Sequence, residues 1–164
     1  MPRRDLKQLS DEAYIWIFGI SPALDEAGTA TLLRRVDAFL DNWAAHGTPI
    51  ESARDLREGS LLIIAAESTS ERSGCSIDRL FGTLRQLEDE LHVKILDPNR
   101  VFFRHGDGRV DAMSRAEFRE KGDPHTVVFD TTAQTLSEVR GGSWERRAEL
   151  SWHRELLKKP AAVR

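Results

Sequence analysis

The sequence predicts a single-domain α/β (α+β) protein, in which helices pack over one mixed β-sheet. Two short apolar runs, residues 14–20 and 60–66, have the length and the residue types of buried strands. An amphipathic segment follows each run, and a glycine-rich hairpin signal lies in the middle of the chain. The predicted element order is β-α-β-α-β-β-α-β-α.

The first helix is predicted from Asp25 to His46. Its apolar residues recur at helical spacing, an acidic pair lies at its start, and Gly47 supplies a stop. A helix of this length can carry the chain from one strand to a parallel neighbour. Strands 14–20 and 61–66 are therefore predicted to be adjacent and parallel.

The second helix has the clearest periodicity in the chain, and it is predicted to begin after a loop that ends at Gly74. One apolar stripe runs along it, and charged residues occupy its other faces. The stripe consists of Ile77, Leu80, Phe81, Leu84, Leu87 and Leu91.

The second half of the chain is predicted to contain a hairpin, a short helix, a strand and a helical tail. Residues 101–104 and 109–112 flank the hairpin turn, and Ser114 opens a helix that stops near Gly122. Strand 126–129 ends at Asp130, and a short helix or turn leads to a glycine pair. The helical tail is predicted over residues 144–157.

Length and composition favour one folded domain over residues 1–164, with a polar lead at 1–12 and a loosely held tail at 158–164. Hydrophobic residues make up 40% of the 164 positions and charged residues 31%. The net charge is −3, and the only basic excess, +4 over residues 140–164, alternates with acidic residues. This pattern is typical of a solvated helix surface, so nucleic acid is not an expected partner.

The chain is expected to be cytoplasmic. Its single cysteine excludes an internal disulfide, and its apolar runs are far shorter than the roughly 20 residues that span a bilayer. The basic N-terminus is not followed by the apolar core of a signal peptide. No membrane association is expected.

The loop at residues 73–78 is the first candidate site, because it joins the end of a buried strand to the start of a helix. Unpaired N–H groups at a helix start can hold an anion or lower the pKa of a thiol. Gly74 permits close approach of the backbone, and Ser73 and Ser76 add small polar groups. Cys75 and Asp78 are the candidate catalytic groups of this loop.

A structural explanation accounts for the same residues. Ser73 or Ser76 caps the helix, Gly74 eases the turn, Cys75 is a small buried apolar residue, and Asp78 favours the positive end of the helix dipole. The loop lacks the first glycine and the lysine of a phosphate-binding NTPase loop, so ATP hydrolysis of that type is not expected.

Other polar residues are candidate neighbours of this loop. Glu67 and Asp130 each follow a predicted strand, so both side chains could lie at one edge of the sheet. His153 is a candidate base near the end of the chain, and His46 is a further neighbour. The alternatives are that these acids are solvated strand ends and that Trp152 anchors the tail on the core.

No cofactor or metal is expected. The five histidines form no pair at i and i+4, and no second cysteine is present.

Four sequence segments resemble a family of small, uncharacterised bacterial proteins. They are 43–47 (Trp-Ala-Ala-His-Gly), 73–78 (Ser-Gly-Cys-Ser-Ile-Asp), 128–130 with Thr135, and 151–153 (Ser-Trp-His). The resemblance implies that the 73–78 loop and the 151–153 segment belong to the family's defining pattern. Some members carry the label ABC transporter ATPase, which the missing phosphate-binding loop does not support. Glu67 and Ser68 stand where the resemblance implies an Asp-Glu pair.

Two functional hypotheses follow. The first is binding of a small molecule or an anion at the 73–78 loop, with catalysis as an extension. The second is a non-enzymatic interaction protein, in which the tail around Trp144 and Trp152 docks on a partner, such as a second copy of the chain.

Overall fold

Two antiparallel sheets, with helices on their outer faces, form the centre of the molecule. The structure is a computed structural model, and it describes residues 3–158. Its strands are β1 (Tyr14–Gly19), β2 (Ala44–Ala45), β3 (Thr48–Pro49), β4 (Ser52–Arg57), β5 (Leu61–Ala66), β6 (Arg100–Arg104), β7 (Val110–Ser114), β8 (Val127–Phe129) and β9 (Glu145–Arg147). Its α-helices are α1 (Glu26–Asp41), α2 (Gly74–Leu91), α3 (Arg115–Lys121) and α4 (Leu136–Arg140), and its 3-10 turns are Leu6–Gln8, Ala148–Leu150 and Trp152–Leu157.

The first sheet has the strand order β1-β5-β4, so the apolar strand β5 lies at its centre. Every residue of β5 is buried. Leu61 and Ile63 face the second sheet, whereas Leu62 and Ile64 face α1 and α2. A strand that is covered on both faces can be apolar at every position, which explains the unbroken run.

The predicted parallel pairing of the first and second apolar strands is wrong. β1 and β5 are antiparallel, with Ile17 opposite Ile63. The reason is that α1 leads to β4, a strand whose sequence predicts a polar connection. β4 runs in the same direction as β1, and a two-residue turn at Glu58 and Gly59, both with positive φ, then reverses the chain into β5.

The first helix is shorter than predicted. α1 begins after Asp25, whose side chain accepts from the N–H of Gly28 at 2.7 Å, but it ends at Asp41. His46 and Gly47 both have positive φ and form the turn of the β2-β3 hairpin instead of a helix end. The buried residues of α1 are Leu32, Val36 and Leu40.

The second sheet has the order β7-β6-β8-β9, and it covers the inner face of the first. Phe102 and Phe129 pack against β5 from this sheet. Its other face packs on α3 and on the C-terminal turns, where Phe118 is fully buried. The layers are therefore helices, sheet, sheet and helical turns, and the α+β class with helices over sheets is confirmed.

The C-terminal region differs from the predicted helix. Residues 145–147 form β9, and two 3-10 turns follow it. At the other end, the predicted polar lead contains the turn Leu6–Gln8, and Leu9 is buried in the core between the sheets. Of the predicted loose tail, only Lys158 lies within the described residues.

Candidate functional site

The 73–78 loop forms the N-terminal cap of α2. The hydroxyl of Ser73 accepts from the N–H of Ser76 at 3.1 Å, and the hydroxyl of Ser76 accepts from the N–H of Ser73 at 2.9 Å. The Ser76 hydroxyl also donates to the Ser73 carbonyl at 2.7 Å, and the side chain of Ser76 is buried. Both serines are thus used within the cap, as the structural explanation of this loop predicts.

The remaining polar residues of the loop point to open surface. Cys75 and Asp78 are exposed, and no side-chain hydrogen bond or ion pair of either is found within residues 3–158. A Cβ at Gly74 would meet nothing within 4 Å. Cys75 is therefore not the buried apolar residue of the structural explanation.

Hydrogen bonds from neighbouring residues hold the Glu67 carboxylate in place. Its carboxylate accepts from the N–H of Ser10 at 3.0 Å, from the Ser10 hydroxyl and from the N–H of Ser68 at 3.1 Å. Burial alone would raise the pKa of Glu67, but these hydrogen bonds lower it below its usual value. The carboxylate fixes the N-terminal segment to the end of β5.

Asp130 and His153, two of the predicted site residues, are brought together by Trp152. The indole Nε1–H of Trp152 donates to Oδ1 of Asp130 at 3.2 Å. The same oxygen accepts from the N–H and the hydroxyl of Thr132, at 2.9 and 2.5 Å. On the other side, the indole stacks on the imidazole of His153, with ring centroids 4.0 Å apart.

His153 is a buried, neutral imidazole. Burial lowers the pKa of His153 to about 4, and nearby Arg115 acts in the same direction, whereas Asp130 opposes it. Nδ1 is 2.7 Å from the Ser151 hydroxyl, and the ring of Phe118 contacts the imidazole edge-on. With 2% of its surface exposed, His153 supports Trp152 and is poorly placed to exchange protons with a ligand.

A cavity of about 270 Å³ opens beside Trp152, where β1, α2, β6 and α3 meet. Its wall is mainly apolar, and the side chains of Phe81, Ile95, Phe102 and Trp152 line it. Gly19 is required here, because a Cβ at this position would lie 2.0 Å from the ring of Phe102. We call this cavity the Trp152 cleft.

Three charged side chains line the Trp152 cleft. Arg100 is paired with Asp97 at 3.2 Å. The guanidinium of Arg115 lies over the Trp152 ring, 5.1 Å from its centroid, and it has no ion-pair partner within residues 3–158. A guanidinium on an aromatic face keeps its N–H groups free for a carboxylate or a phosphate.

The structure does not bring all the predicted site residues together. Within the described chain, no hydrogen bond or ion pair connects Cys75 or Asp78 with Asp130 or His153, and His46 is exposed in the β2-β3 turn. Sequence reasoning missed Arg115, Phe81 and Phe102, because they come from three separate elements. The local signals near this site were Asp130, a polar residue at a strand end, and His153 in the tail.

Trp144, the other aromatic residue of the interaction hypothesis, is 4% exposed and packs on Phe129 with centroids 5.1 Å apart. The aromatic composition of the tail is thus accounted for by contacts inside the chain. Between residues 3 and 158, no helix is long and apolar enough to cross a membrane. The same region contains no group of three His, Cys, Asp or Glu side chains that could hold a metal ion.

The chain matches no family model, no curated protein and no solved structure.

Proposed function

We propose that the protein binds a small molecule with an apolar body and one anionic group in the Trp152 cleft. The single observation that carries this proposal is the guanidinium of Arg115, which stacks on Trp152 at the cleft wall without a carboxylate partner among the described residues. An apolar cavity with few polar groups is the usual form of a small-molecule site.

The size and lining of the cleft indicate the kind of ligand. A volume of about 270 Å³ lies just below the usual range for ligand pockets, so the ligand must be small. The rings of Phe81, Phe102 and Trp152 would contact a flat or branched apolar group. A carboxylate would then accept from Arg115, because charge-assisted hydrogen bonds to guanidinium are strong and directional.

The chemistry of the cleft favours binding over catalysis. No cysteine lines it, the Asp130 carboxylate beside it already accepts from Thr132 and Trp152, and the imidazole of His153 lies behind the indole. These groups hold the wall in place. They do not present a nucleophile to a ligand.

Titration of the ¹⁵N-labelled protein with benzoate, benzamide and benzylamine tests the proposal. We expect benzoate to shift the indole Nε1–H resonance of Trp152, with a Kd of about a millimolar for a ligand of this size. Uncharged benzamide should bind more weakly, and cationic benzylamine should not bind. Equal shifts with all three probes, or no shift with benzoate, would contradict the proposal.

Arg115→Gln should weaken benzoate binding by about tenfold or more, because it removes the charge-assisted contact. Lys121→Gln on the same helix is the matched control. It removes one positive charge from an exposed position that does not line the cleft, and it should leave the Kd unchanged.

A further inference from the structure

One edge of the first sheet is open, and it is formed by β4, which contributes no residue to the lining of the Trp152 cleft. β4 pairs with β5 on one side only. The N–H of Glu67 donates to the carbonyl of Glu51 at 2.8 Å. This bond shows that the backbone groups of Glu51, and of every second residue after it in β4, face β5. Because these groups alternate along an antiparallel strand, the N–H and C=O groups of Ser52, Arg54 and Leu56 point away from the sheet.

The N-terminal segment already pairs with the first residue of this edge. Arg3 forms a parallel bridge with Ser52, and the N–H of Arg4 donates to the Ser52 carbonyl at 2.7 Å. The segment then leaves the edge, because Asp5 caps the 3-10 turn Leu6–Gln8. Within residues 3–158, the outward backbone groups of Arg54 and Leu56 have no partner.

A cavity of about 580 Å³ lies along the open edge, and its lining is mainly basic. We call it the β4 groove. Six of its lining residues are basic and two are acidic. The basic residues are Arg3, Arg4, Lys7, Arg54, Arg57 and Arg140.

Not all of these charges are available to a partner. Arg54 is bound to both carboxylate oxygens of Asp37 at 2.8 Å, and Arg140 is held by Asp11 and by two backbone carbonyls. Lys7, in contrast, has no ion pair among the described residues. The pairs of Arg4 with Glu51 and of Arg57 with Asp55 are exposed, and such pairs contribute little free energy, so both arginines can change partner.

We propose that the β4 groove binds an extended acidic peptide segment of another protein as an added strand. The peptide backbone pairs with Arg54 and Leu56, and its carboxylates contact Arg4, Lys7 and Arg57. Addition of a strand to a sheet edge is a common mode of peptide recognition, in which backbone hydrogen bonds give affinity and side chains give specificity.

Two other occupants fit the groove less well. A second copy that paired β4 with its own β4 would bring the same arginines together, and like charges on an edge oppose such pairing. Single-stranded nucleic acid needs aromatic side chains on which bases stack, and the lining of the β4 groove contains none. An acidic peptide satisfies both the backbone groups and the charges.

Fluorescence anisotropy with three labelled peptides tests this proposal. The first peptide, Thr-Glu-Val-Glu-Val-Glu-Thr, should bind at saturable concentrations. Its lysine counterpart should bind at least about tenfold more weakly, because the charges then repel. An analogue of the acidic peptide with N-methylated backbone amides should also bind about tenfold more weakly, because it keeps the charge but cannot donate to the edge.

Hydrogen exchange and variants locate the binding. The amides of Arg54 and Leu56 should exchange more slowly when the acidic peptide is bound. The double variant Lys7→Gln with Arg57→Gln should weaken binding at least about fivefold. Arg85→Gln, which removes an exposed charge on α2 outside the groove, should have no effect.

Several results would overturn the proposal. The first is no binding of the acidic peptide at millimolar concentration, and the second is equal binding of the N-methylated analogue. The third is that an oligothymidine strand displaces the acidic peptide completely from the wild-type protein and does not bind the same double variant. If sedimentation shows a dimer, and if the acidic peptide dissociates that dimer, the edge binds a second copy of the chain instead. None of these results depends on the Trp152 cleft.

Discussion

Trp152 lies between the half-buried Asp130 carboxylate and the buried imidazole of His153, since its Nε1–H donates to Asp130 and its ring stacks on His153. Trp152→Phe keeps the stacked ring but removes the donor. We expect the free energy of unfolding in urea to fall by about 1 kcal/mol, the usual contribution of one such hydrogen bond. Trp16→Phe is the control, because no hydrogen bond of the Trp16 indole is found in the described chain. Equal losses in both variants would show that the bond to Asp130 contributes nothing.

The stability of the protein should depend on His153 at mildly acidic pH. The folded-state pKa of His153 is lowered to about 4 from an ordinary value near 6.5. The unfolded chain therefore binds a proton at this imidazole below pH 6.5, while the folded protein does not until about pH 4. The contribution of neutral His153 is complete above pH 6.5 and is lost as the pH falls from 6.5 towards 4.

A comparison with His153→Gln isolates this effect. Between pH 7.5 and pH 4.5, wild-type protein should lose roughly 2 to 3 kcal/mol more unfolding free energy than the variant, which cannot titrate at this position. Urea titrations at four pH values give the difference. Parallel curves for the two proteins would mean that His153 titrates normally and is not buried as described.

Gly19 and Gly82 should respond to alanine in opposite directions. A Cβ at Gly19 would lie 2.0 Å from the Phe102 ring, so Gly19→Ala forces that ring to move and should cost about 1–3 kcal/mol. It should also weaken benzoate binding, because Phe102 lines the Trp152 cleft. A Cβ at Gly82 meets nothing within 4 Å in α2, so Gly82→Ala should stabilise the protein by about 0.5–1 kcal/mol. Thermal unfolding of both variants checks the signs.

Arg104 joins the two sheets through an ion-pair network. Its guanidinium donates to both carboxylate oxygens of Glu58, at 2.8 and 2.9 Å, and to Glu145 at 2.5 Å. Its hydrogen bonds lower the pKa of Glu58, although burial opposes them. Arg104→Lys cannot reproduce the planar fork and should cost about 1–2 kcal/mol, whereas Arg109→Lys in the same hairpin should cost almost nothing. Similar costs for the two changes would contradict a role for the network.

The sequence predicted the buried strands and the second helix well, because their signals are local. The apolar residues of β5 and the stripe of α2 record directly which faces are covered. β4 was missed because an open edge strand, half exposed and rich in charge, has the composition of a connection. That omission reversed the predicted pairing of β1 and β5, since the crossover through α1 ends at β4.

Two of the residues singled out in the sequence, Asp130 and His153, contact Trp152 beside the cleft. Asp130 stood out as a polar residue at a strand end, and His153 as an isolated histidine in the tail. Arg115, Phe81 and Phe102 carry no local signal, because each is an ordinary residue of its own element. They meet only when α2, α3 and the two sheets pack together.

Cys75 should react freely in the folded protein and should not affect the cleft. It is exposed in the first turn of α2, about 9 Å along the helix axis from Phe81, the residue of that helix that lines the cleft. Iodoacetamide should therefore label it without denaturant. Cys75→Ser should change the unfolding free energy by less than about 0.5 kcal/mol, as is usual at exposed positions.

The same variant distinguishes the Trp152 cleft from the 73–78 loop as the site of benzoate binding. If the Trp152 cleft is the binding site, Cys75→Ser binds benzoate with the wild-type Kd, and alkylated Cys75 does so as well. Asp78→Asn, which changes another exposed residue of the same turn, should also be neutral. The opposite result is that either variant loses benzoate binding while benzoate leaves the Trp152 indole resonance of the wild-type protein unshifted. That result would show that benzoate binds at the 73–78 loop. Resistance of Cys75 to alkylation until denaturation would show instead that α2 begins in a more enclosed position than the structure gives.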